Sequence, residues 1–524
     1  MDTGALLVSD GHIAALGADA HRRASAARPL AVDLQGGFLM PSFADGHAHP
    51  LFGGLEASGP QVKDAASVAA IVDAVRRYAE EHPGDDWIVG GSYDRTLAPG
   101  GLFDARWLDE AVAERPVVLR AADYHTLWCN SEALRRCGIH AGIADPALGE
   151  IPRRPDGSVL GTLREWGAAE LVAAVMPPRD IEVGITALET AAAYYLAHGV
   201  TWVQDAWITP DDVDTYVAAV RQGRLGLRVN LAFYADPLRY ADQLDGFVEA
   251  RQRVSALRSP LLTAHTVKFF ADGVVGNETA GLLRPYCSAM HSHGMRVWPG
   301  DSLAQAARAV DERGFQLHVH AIGDAAIRQA LDAVEFTAAA NGPRDRRPVI
   351  AHAELIDDAD LARFAELGVV AAMQPLWAQL DDLMTTVMLP RLGDERITRM
   401  YRMGSLLRSG ADLSFGSDWP VSSGAPLDGI AIALSRPARA ERGAVWEPGE
   451  VLTAEQALSA YTSAVARQAF AAETGTPWGA IVPGACADLV WLDRDPRAVP
   501  AGEIPGIAVH ATYLAGVRCA PAPR

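Results

Sequence analysis

Residues 315–354 read FQLHVHAIGDAAIRQALDAVEFTAAANGPRDRRPVIAHAE, and this stretch indicates the architecture of the whole chain. Two short apolar runs, FQLHVHA and PVIAHAE, flank an alanine-rich segment that is typical of a helix. His320 and His352 lie near the ends of these runs, thirty-two residues apart. Because one strand and one helix need about thirty residues, the stretch predicts two parallel strands joined by a helix.

On both sides of this stretch the chain contains further apolar runs of this kind, eight in all, and helical stretches separate most of them. The candidate strands are FLMPSFADGH (38–47), VTWVQDA (200–206), RVNLAFY (228–234), HTVKFFADG (265–273), FQLHVHA (315–321), PVIAHAE (348–354), VVAAMQP (369–375) and LSFGSDW (413–419). Eight parallel strands with helices between them form a closed barrel, in which the strand ends face one mouth. The sequence therefore predicts an α/β fold, a (β/α)₈ TIM barrel.

The two ends of the chain and one long interval do not follow the βα pattern. Residues 1–40 and 471–524 are rich in short strand-like runs and turns, which predicts one small β-sandwich domain built from both termini. Residues 55–190 are far too long for a βα loop, so we expect an inserted domain after the first strand that covers the barrel mouth. Residues 41–54 and 191–470 then form the barrel.

Composition restricts the partners. The 524 residues are 49% hydrophobic and 21% charged, and the net charge of −19 disfavours nucleic acids and anionic membranes. The start, MDTGALLVSDGHIAALG, lacks the features of a signal peptide, and no stretch predicts a membrane span, so we expect a cytoplasmic protein. Its five cysteines include no CxxC pair. We expect a small-molecule substrate, and a homodimer remains open.

His47 and His49 are separated by one residue after an apolar run. Side chains two apart on a strand point to the same face, so both imidazoles can chelate one ion. Alone, the HxH pattern is weak, because surface or core histidines also produce it. A strand followed by a turn favours the ligand interpretation.

Lys268 lies within HTVKFFADG, a run too apolar for an exposed ammonium. A buried lysine needs a partner, a lowered pKa or a chemical modification. Its neutral amine can add CO₂ to give a carbamate, whose two oxygens can bridge two metals. An ion pair with a carboxylate such as Asp272 is the alternative.

Three more ligand candidates lie at the ends of later strands. His320 stands directly before a turn, and we expect His318 to lie behind the ligands. His352 ends the following strand, and Asp418 follows the last one, where it can serve as both ligand and base. With His47, His49 and Lys268, these side chains predict a metal site at the barrel mouth.

The motifs PSFADGHAHP, VKFFADGVVG, LHVHAIGDAA, IAHAE and FGSDWPVSS resemble the amidohydrolase superfamily. Together with DWIVGGSYD, RPVVLRAADYHTLWCNSEAL and GTLREW, they resemble in detail its YtcJ-like branch, which is similar to N-substituted formamide deformylases. The resemblance implies two divalent metals, with His47, His49 and Asp418 on one and His320 and His352 on the other. It also implies a carboxylated Lys268 between them. Zn²⁺ is the metal we expect, and iron or manganese also suits these ligands.

The ligand set predicts hydrolysis of a non-peptide amide, such as an N-formyl or N-acyl amine, by attack of a metal-bound hydroxide. Asp418 would accept the proton and deliver it to the leaving amine, and His125 would stabilise the oxyanion. Deaminases commonly place a glutamate three residues after the strand-five histidine, where this chain has Gly323. A deaminase and a cyclic-amide, ester or lactone hydrolase are alternatives, and an inactive binding or assembly subunit is a remote one.

Aromatic residues near the expected mouth suggest an apolar or aromatic part of the substrate, although aromatic residues in a core are the commoner explanation. Tyr124 stands where the branch usually has glycine in a DGH motif, which predicts a different pocket shape. The candidates for substrate binding are Tyr93, Tyr124, Trp166, Trp377 and Trp419, with Phe52 and Trp207 nearby.

Overall fold

The computed structural model of the chain describes residues 4–27, 29–438, 444–473 and 475–521. The strands are β1 Leu6–Ser9, β2 His12–Leu16, β3 Phe38–Pro41, β4 Phe43–Ala48, β5 Ile88–Tyr93, β6 Val117–Ala121, β7 Thr126–Cys129, β8 Thr162–Arg164, β9 Val200–Ile208, β10 Arg228–Tyr234, β11 Leu262–Phe270, β12 Gln316–Ala321, β13 Val349–His352, β14 Val370–Met373, β15 Asp412–Phe415, β16 Leu489–Leu492, β17 Val509–Leu514 and β18 Val517–Pro521. No helix among the described residues is long and apolar enough to cross a membrane.

The helices vary widely in length. They are α1 Gly17–Ala27, α2 Pro50–Ser58, α3 Val68–Glu81, α4 Ala105–Asp109, α5 Ser131–Arg136, α6 Glu165–Ala173, α7 Ile181–Ala197, α8 Pro210–Arg221, α9 Tyr240–Ala256, α10 Ser302–Glu312, α11 Asp324–Asn341, α12 Leu361–Glu366, α13 Leu389–Leu392, α14 Asp394–Ile397, α15 Met403–Arg408, α16 Pro426–Ser435, α17 Ala454–Ala460 and α18 Ser463–Gln468. Single turns of 3₁₀ helix connect several of these elements, and one π-helical turn spans Met384–Met388.

Eight parallel strands form the central sheet, in the order β15-β14-β13-β12-β11-β10-β9-β4. Apart from the gap between β4 and β9, this is sequence order, as a barrel of successive βα units requires. The register places Lys268 beside His318, and His320 beside Ala351 one residue before His352. The predicted (β/α)₈ barrel is confirmed, and its strand ends bring the candidate ligands to one edge.

The barrel closes where the first strand meets the last. Asp45 in β4 accepts hydrogen bonds from the backbone N–H of Ser417, at 2.9 Å, and from the Ser417 hydroxyl. Glycine is required on both sides of this seam, because a Cβ on Gly46 would lie 2.9 Å from the Phe415 carbonyl oxygen, and one on Gly416 would lie 2.6 Å from the His47 nitrogen.

The run at residues 38–47, predicted as one strand, is divided between two sheets. β3 pairs with β16 in a four-stranded antiparallel sheet of order β18-β17-β16-β3, whereas β4 pairs with β9 in the barrel. The N–H of Ser42 donates to Asp488 and that of Phe43 to Gly199. The chain therefore passes from the small domain into the barrel between two consecutive residues.

Strands from both ends of the chain form the small domain, as the predicted fold class requires. The β1–β2 hairpin packs against the four-stranded sheet through Ile13, Ala485 and Leu489. Helix α1 lies in the N-terminal stretch for which the sequence predicted strands alone. Residues 1–3 and 522–524, the outer ends of this predicted domain, lie outside the described residues.

The interval after β4 contains α3 and a sheet of order β5-β6-β7-β8, with its own buried clusters around Trp128 and Leu163. The boundaries that the sequence predicted for the inserted domain, near residues 54 and 190, fall inside α2 and α7. These two helices pack on each other.

Candidate metal centre

His47, His49 and Asp418 converge at the closing seam of the barrel. Their ligand atoms all lie within 4.8 Å of one another, and all three residues are buried. Asp418 Oδ1 lies 3.0 Å from His49 Nε2 and 3.4 Å from His47 Nε2. No hydrogen bond of acceptable geometry reaches this oxygen from any described residue. Buried donor atoms that face one another in this way fit a divalent cation.

A further histidine orients His47. His47 Nδ1 lies 2.7 Å from Nε2 of His318, and His318 is wholly buried. Because Nδ1 is occupied in this contact, Nε2 of His47 is left to face Asp418. The structure thus places His318 behind a ligand, where it fixes the orientation of the ring.

His320 and His352 stand on the other side of His47. Their ring centroids are 4.6 Å apart, and the His352 centroid is 4.7 Å from that of His47. His352 Nδ1 lies 2.8 Å from the Gln374 amide oxygen, which fixes its ring. Four imidazoles therefore meet at the mouth.

Lys268 reaches the same place from β11. It is fully buried, and its Nζ has no hydrogen-bond partner among the described residues. The alternative partner Asp272 instead accepts the backbone N–H groups of Gly281, Ile322 and Gly323 at 2.8 to 3.0 Å. Burial lowers the pKa of Lys268 to about 7, so the neutral amine that adds CO₂ is accessible.

The electrostatics of the cluster suit metal binding. Burial lowers the pKa of His47 and His320 well below the usual value, and that of His352 to about 4. Burial acts to raise the pKa of Asp418, but the nearby His47 and His49 imidazoles outweigh it and hold that pKa well below its usual value. Neutral imidazoles and an ionised carboxylate are the protonation states that bind metals.

Two candidate ligands and two residues of the inserted domain have left-handed backbone conformations, which are costly for residues other than glycine. The φ angles are +57° at Asp418, +72° at His352, +63° at Glu165 and +61° at Tyr124. Residues with this strain commonly cluster at functional sites.

A cavity of about 630 Å³ opens above the cluster, and all six candidate ligands line it. The barrel supplies its floor. The interval between β4 and α7 supplies Asp94 to Thr96 and Ala122 to His125 to the wall. Ligands and insertion thus share one cavity, within the size range of small-molecule sites.

His125 lies in this wall beside His320, with ring centroids 5.4 Å apart. Its Nδ1 lies 2.7 Å from Glu165 Oε2, and the other oxygen of Glu165 accepts the Thr279 hydroxyl at 2.6 Å. Burial acts to lower the pKa of His125, but the Glu165 carboxylate outweighs it and raises the pKa. His125 is therefore a cationic donor candidate next to the ligands.

The aromatic candidates separate into two groups. Tyr124 and Trp377 line the cavity, as does Trp207, and Trp377 stacks on His352 with 5.7 Å between centroids. The described residues that line the cavity do not include Tyr93, Trp166 or Trp419. Tyr93 is wholly buried against Phe103 and Trp128 in the core of the inserted domain, so it is a core residue. Trp166 packs beside Phe270, and Trp419 stacks on Tyr194.

Sequence reasoning missed three buried or partly buried carboxylates at the site. Glu165 orients His125, Glu56 accepts the Tyr124 and Ser92 hydroxyls, and Glu354 lines the cavity. Glu165 and Glu354 lie within the quoted motifs GTLREW and IAHAE, which could have pointed to them. For Glu56 no sequence signal was available, because its partners lie in the inserted domain.

Comparison with known proteins gives consistent matches along the chain. Residues 30–520 match the model of the family described as "Amidohydrolase family". Protein LONG AFTER FAR-RED 3 of Arabidopsis thaliana is 31% identical over 94% of this chain and 84% of its own length. N-substituted formamide deformylase of Arthrobacter pascens is 28% identical over 98% of this chain and 94% of its own length. An uncharacterised metal-dependent hydrolase from Pyrococcus furiosus is 26% identical, covers 94% of this chain and 95% of its own, and has a TM-score of 0.72.

Proposed function

The chain belongs to the amidohydrolase family and is a metal-dependent hydrolase, and we propose that it cleaves the carbon–nitrogen bond of a small N-formyl or N-acyl amine. Two observations support the choice of bond. The similar protein from Arthrobacter pascens is named as a formamide deformylase, and it matches almost the whole chain. Gly323 stands where a proton-shuttling glutamate would favour deamination.

One observation carries the proposal: the buried cluster of candidate ligands lines a cavity to whose wall the inserted domain contributes residues. In the proposed site His47, His49 and Asp418 hold one divalent ion and His320 and His352 hold another. A carboxylated Lys268 would supply a further anionic ligand group to this site. When bound, the metals supply Lewis-acid activation of water and of the substrate carbonyl. We expect Zn²⁺ for this donor set.

Asp418 serves as the general base and then as the acid in this proposal. Its carboxylate lies within the cluster and is ionised, so it can take a proton from the attacking water. The same group can return that proton to the leaving amine nitrogen, which an amine requires before it departs. The backbone N–H of Asp418 donates to the His47 carbonyl at 2.8 Å, which holds the residue at the cluster.

His125 binds the substrate carbonyl oxygen in this proposal. Glu165 holds its Nδ1 side, so the other ring nitrogen is available as a donor towards the cavity. A cationic donor placed where negative charge develops lowers the barrier to acyl transfer. Tyr124 and Trp377 would contact the apolar part of the substrate. The net charge of −19 also supports a small molecule over a nucleic acid as partner.

The test is an activity screen of purified, zinc-loaded protein. N-benzylformamide and N-acetylbenzylamine represent the proposed class, a γ-lactone represents the ester alternative, and guanine represents deamination. Released formate, acetate, amine and ammonia are followed by proton NMR. We expect turnover of the two amides that disappears with a chelator and returns with Zn²⁺.

The Asp418→Asn variant is the matched control for a contaminating amidase, because the metal site is kept while the base is removed. Turnover confined to the lactone or to guanine would assign the site to another bond. A fully metal-loaded protein that turns over none of the four compounds contradicts the proposal for these substrates.

A further inference from the structure

The cavity wall contains acidic side chains in addition to the candidate ligand Asp418. Among the described residues six acidic side chains line the cavity, and its basic lining side chains are Arg95, Lys268 and the histidines, among them His125. Arg95 is already paired with Asp123, and Lys268 lies among the metal ligands. Acidic side chains are therefore part of the wall that a ligand would meet.

One of these carboxylates, Glu354, is built into the wall. Its residue is 3% exposed, burial raises the pKa of Glu354 to about 8, and a hydrogen bond with the Tyr401 hydroxyl acts in the opposite direction. The other oxygen, Oε2, has no hydrogen-bond partner among the residues that the structure describes. A buried polar oxygen without a partner is unfavourable, and a cation bound beside Glu354 would supply the missing donor and favour the ionised carboxylate.

No cationic side chain among the described residues donates a hydrogen bond to Glu354 Oε2. Arg436 lies on the far side of Tyr401, but its guanidinium donates to the carbonyls of Tyr401 and Trp446. The charged neighbours that most affect Glu354 are Asp272 and Asp418, which are like-charged, and His125. Asp381, another acidic residue that lines the cavity, acts to raise the pKa of Tyr401.

The cavity that Glu354 lines also has an apolar part. Leu376, Trp377, Met384, Val387 and Met388 line the same cavity. An alkyl arm suits this surface, and a charged group at its end suits the buried acceptor. A primary ammonium brings three donors and a full positive charge to Oε2.

We propose that Glu354, held by Tyr401, recognises a protonated primary amine on an alkyl arm of the ligand. Resting on the proposed function, this makes the substrate an N-acyl or N-formyl amine that also carries an ammonium group. Glu354 would act in binding and specificity and take no part in bond cleavage.

Binding can be measured without amide hydrolysis. Hydroxamates bind metals, so titration calorimetry of the zinc-loaded protein with ω-amino hydroxamates of three, four and five methylenes tests the wall directly. Each is compared with the hydroxamate in which a methyl replaces the ammonium. We expect at least one ammonium compound to bind about ten- to a hundredfold more tightly than its methyl partner, as for a charged hydrogen bond.

Glu354→Gln keeps the side-chain size and removes the charge. We expect it to reduce the preference to within about twofold while the methyl compounds bind as before. Glu395→Gln is the matched control, because Glu395 is exposed, pairs with Arg284 and Arg399, and lies outside the cavity lining. It should leave the preference intact. Metal content and melting temperature show whether each variant is folded.

The wild-type comparison decides the proposal even where Glu354→Gln does not fold. Equal binding of all matched pairs, or no binding by either member, overturns it, as does a preference that survives in a folded Glu354→Gln. If the ammonium preference appears but neither N-formyl-1,4-diaminobutane nor N-formylpentylamine is hydrolysed, recognition stands and the proposed reaction fails. If both formamides are hydrolysed at equal kcat/KM without a preference in binding, ammonium recognition fails and the proposed reaction stands.

Discussion

Asp418 contacts His47 twice: its backbone N–H donates to the His47 carbonyl at 2.8 Å, and its Oδ1 lies 3.4 Å from His47 Nε2. His47 belongs to the first barrel strand, and Asp418 follows the last one. The contact that closes the barrel therefore also assembles the candidate ligands. Folding and formation of the metal site are linked at this point.

Replacing the proposed base should separate metal binding from turnover. In Asp418→Asn the amide oxygen can still act as a ligand but is a poor base. We expect much of the bound metal to remain and kcat to fall about a hundred- to ten-thousandfold. Elemental analysis and steady-state kinetics on one preparation measure both. Near-normal turnover would remove Asp418 from the base role.

Lys268 should be required for two metals. Lys268→Ala removes the bridging group, so we expect the two-metal stoichiometry to be lost, and a short carboxylic acid should restore part of the activity. Lys268→Arg should not help, because guanidinium stays charged and forms no carbamate. Metal content is measured with and without added bicarbonate. An unmodified Lys268 in a crystal structure with one bound metal would contradict this prediction.

His318→Ala should weaken metal binding without removing a ligand. The variant loses the partner that holds His47 Nδ1 at 2.7 Å, so the ring becomes free to rotate. Loss of such a supporting contact typically costs about ten- to a hundredfold in metal affinity. Competition with a chelator gives the affinity. His21→Ala, in the exposed part of α1, serves as control, and equal affinities in both variants would show that His318 has no such role.

Glu165→Gln should impair catalysis while the metals stay bound. The carboxylate supports the positive charge of His125, and glutamine keeps the size without that charge. We expect kcat/KM to fall about a hundredfold or more, the range for loss of an oxyanion donor. Glu182→Gln, on the exposed end of α7, is the charge-matched control. Unchanged kinetics in Glu165→Gln would leave His125 without an oxyanion role.

Asp45→Ala should destabilise the barrel seam. Asp45 is buried and accepts the Ser417 N–H and hydroxyl, so its loss leaves buried donors without an acceptor. We expect the free energy of unfolding to fall by about 2–4 kcal/mol. The shift of the urea midpoint, measured on metal-free protein, reports this without the contribution of metal binding. An unchanged midpoint would show that the seam does not depend on Asp45.

The sequence was most informative where its signal is local. Apolar runs of strand length predicted the eight barrel strands, because a central parallel strand is buried on both faces. The run at residues 38–47 misled, since a sequence does not indicate that consecutive residues enter different sheets. The missed helix α1 follows a hairpin whose neighbouring turns gave the whole segment a strand-like appearance.

The barrel and the six candidate ligands could be predicted without a structure, because five of them follow or end apolar runs, Lys268 is a charged residue inside such a run, and parallel strands bring such positions to one mouth. The groups that surround the ligands could not. Glu165 faces His125, and Oε2 of Glu354 has no hydrogen-bond partner among the residues that the structure describes. His125 and Glu165 lie 40 residues apart in the chain, so only the folding of the inserted domain brings them together, and no local sequence pattern reveals such a contact.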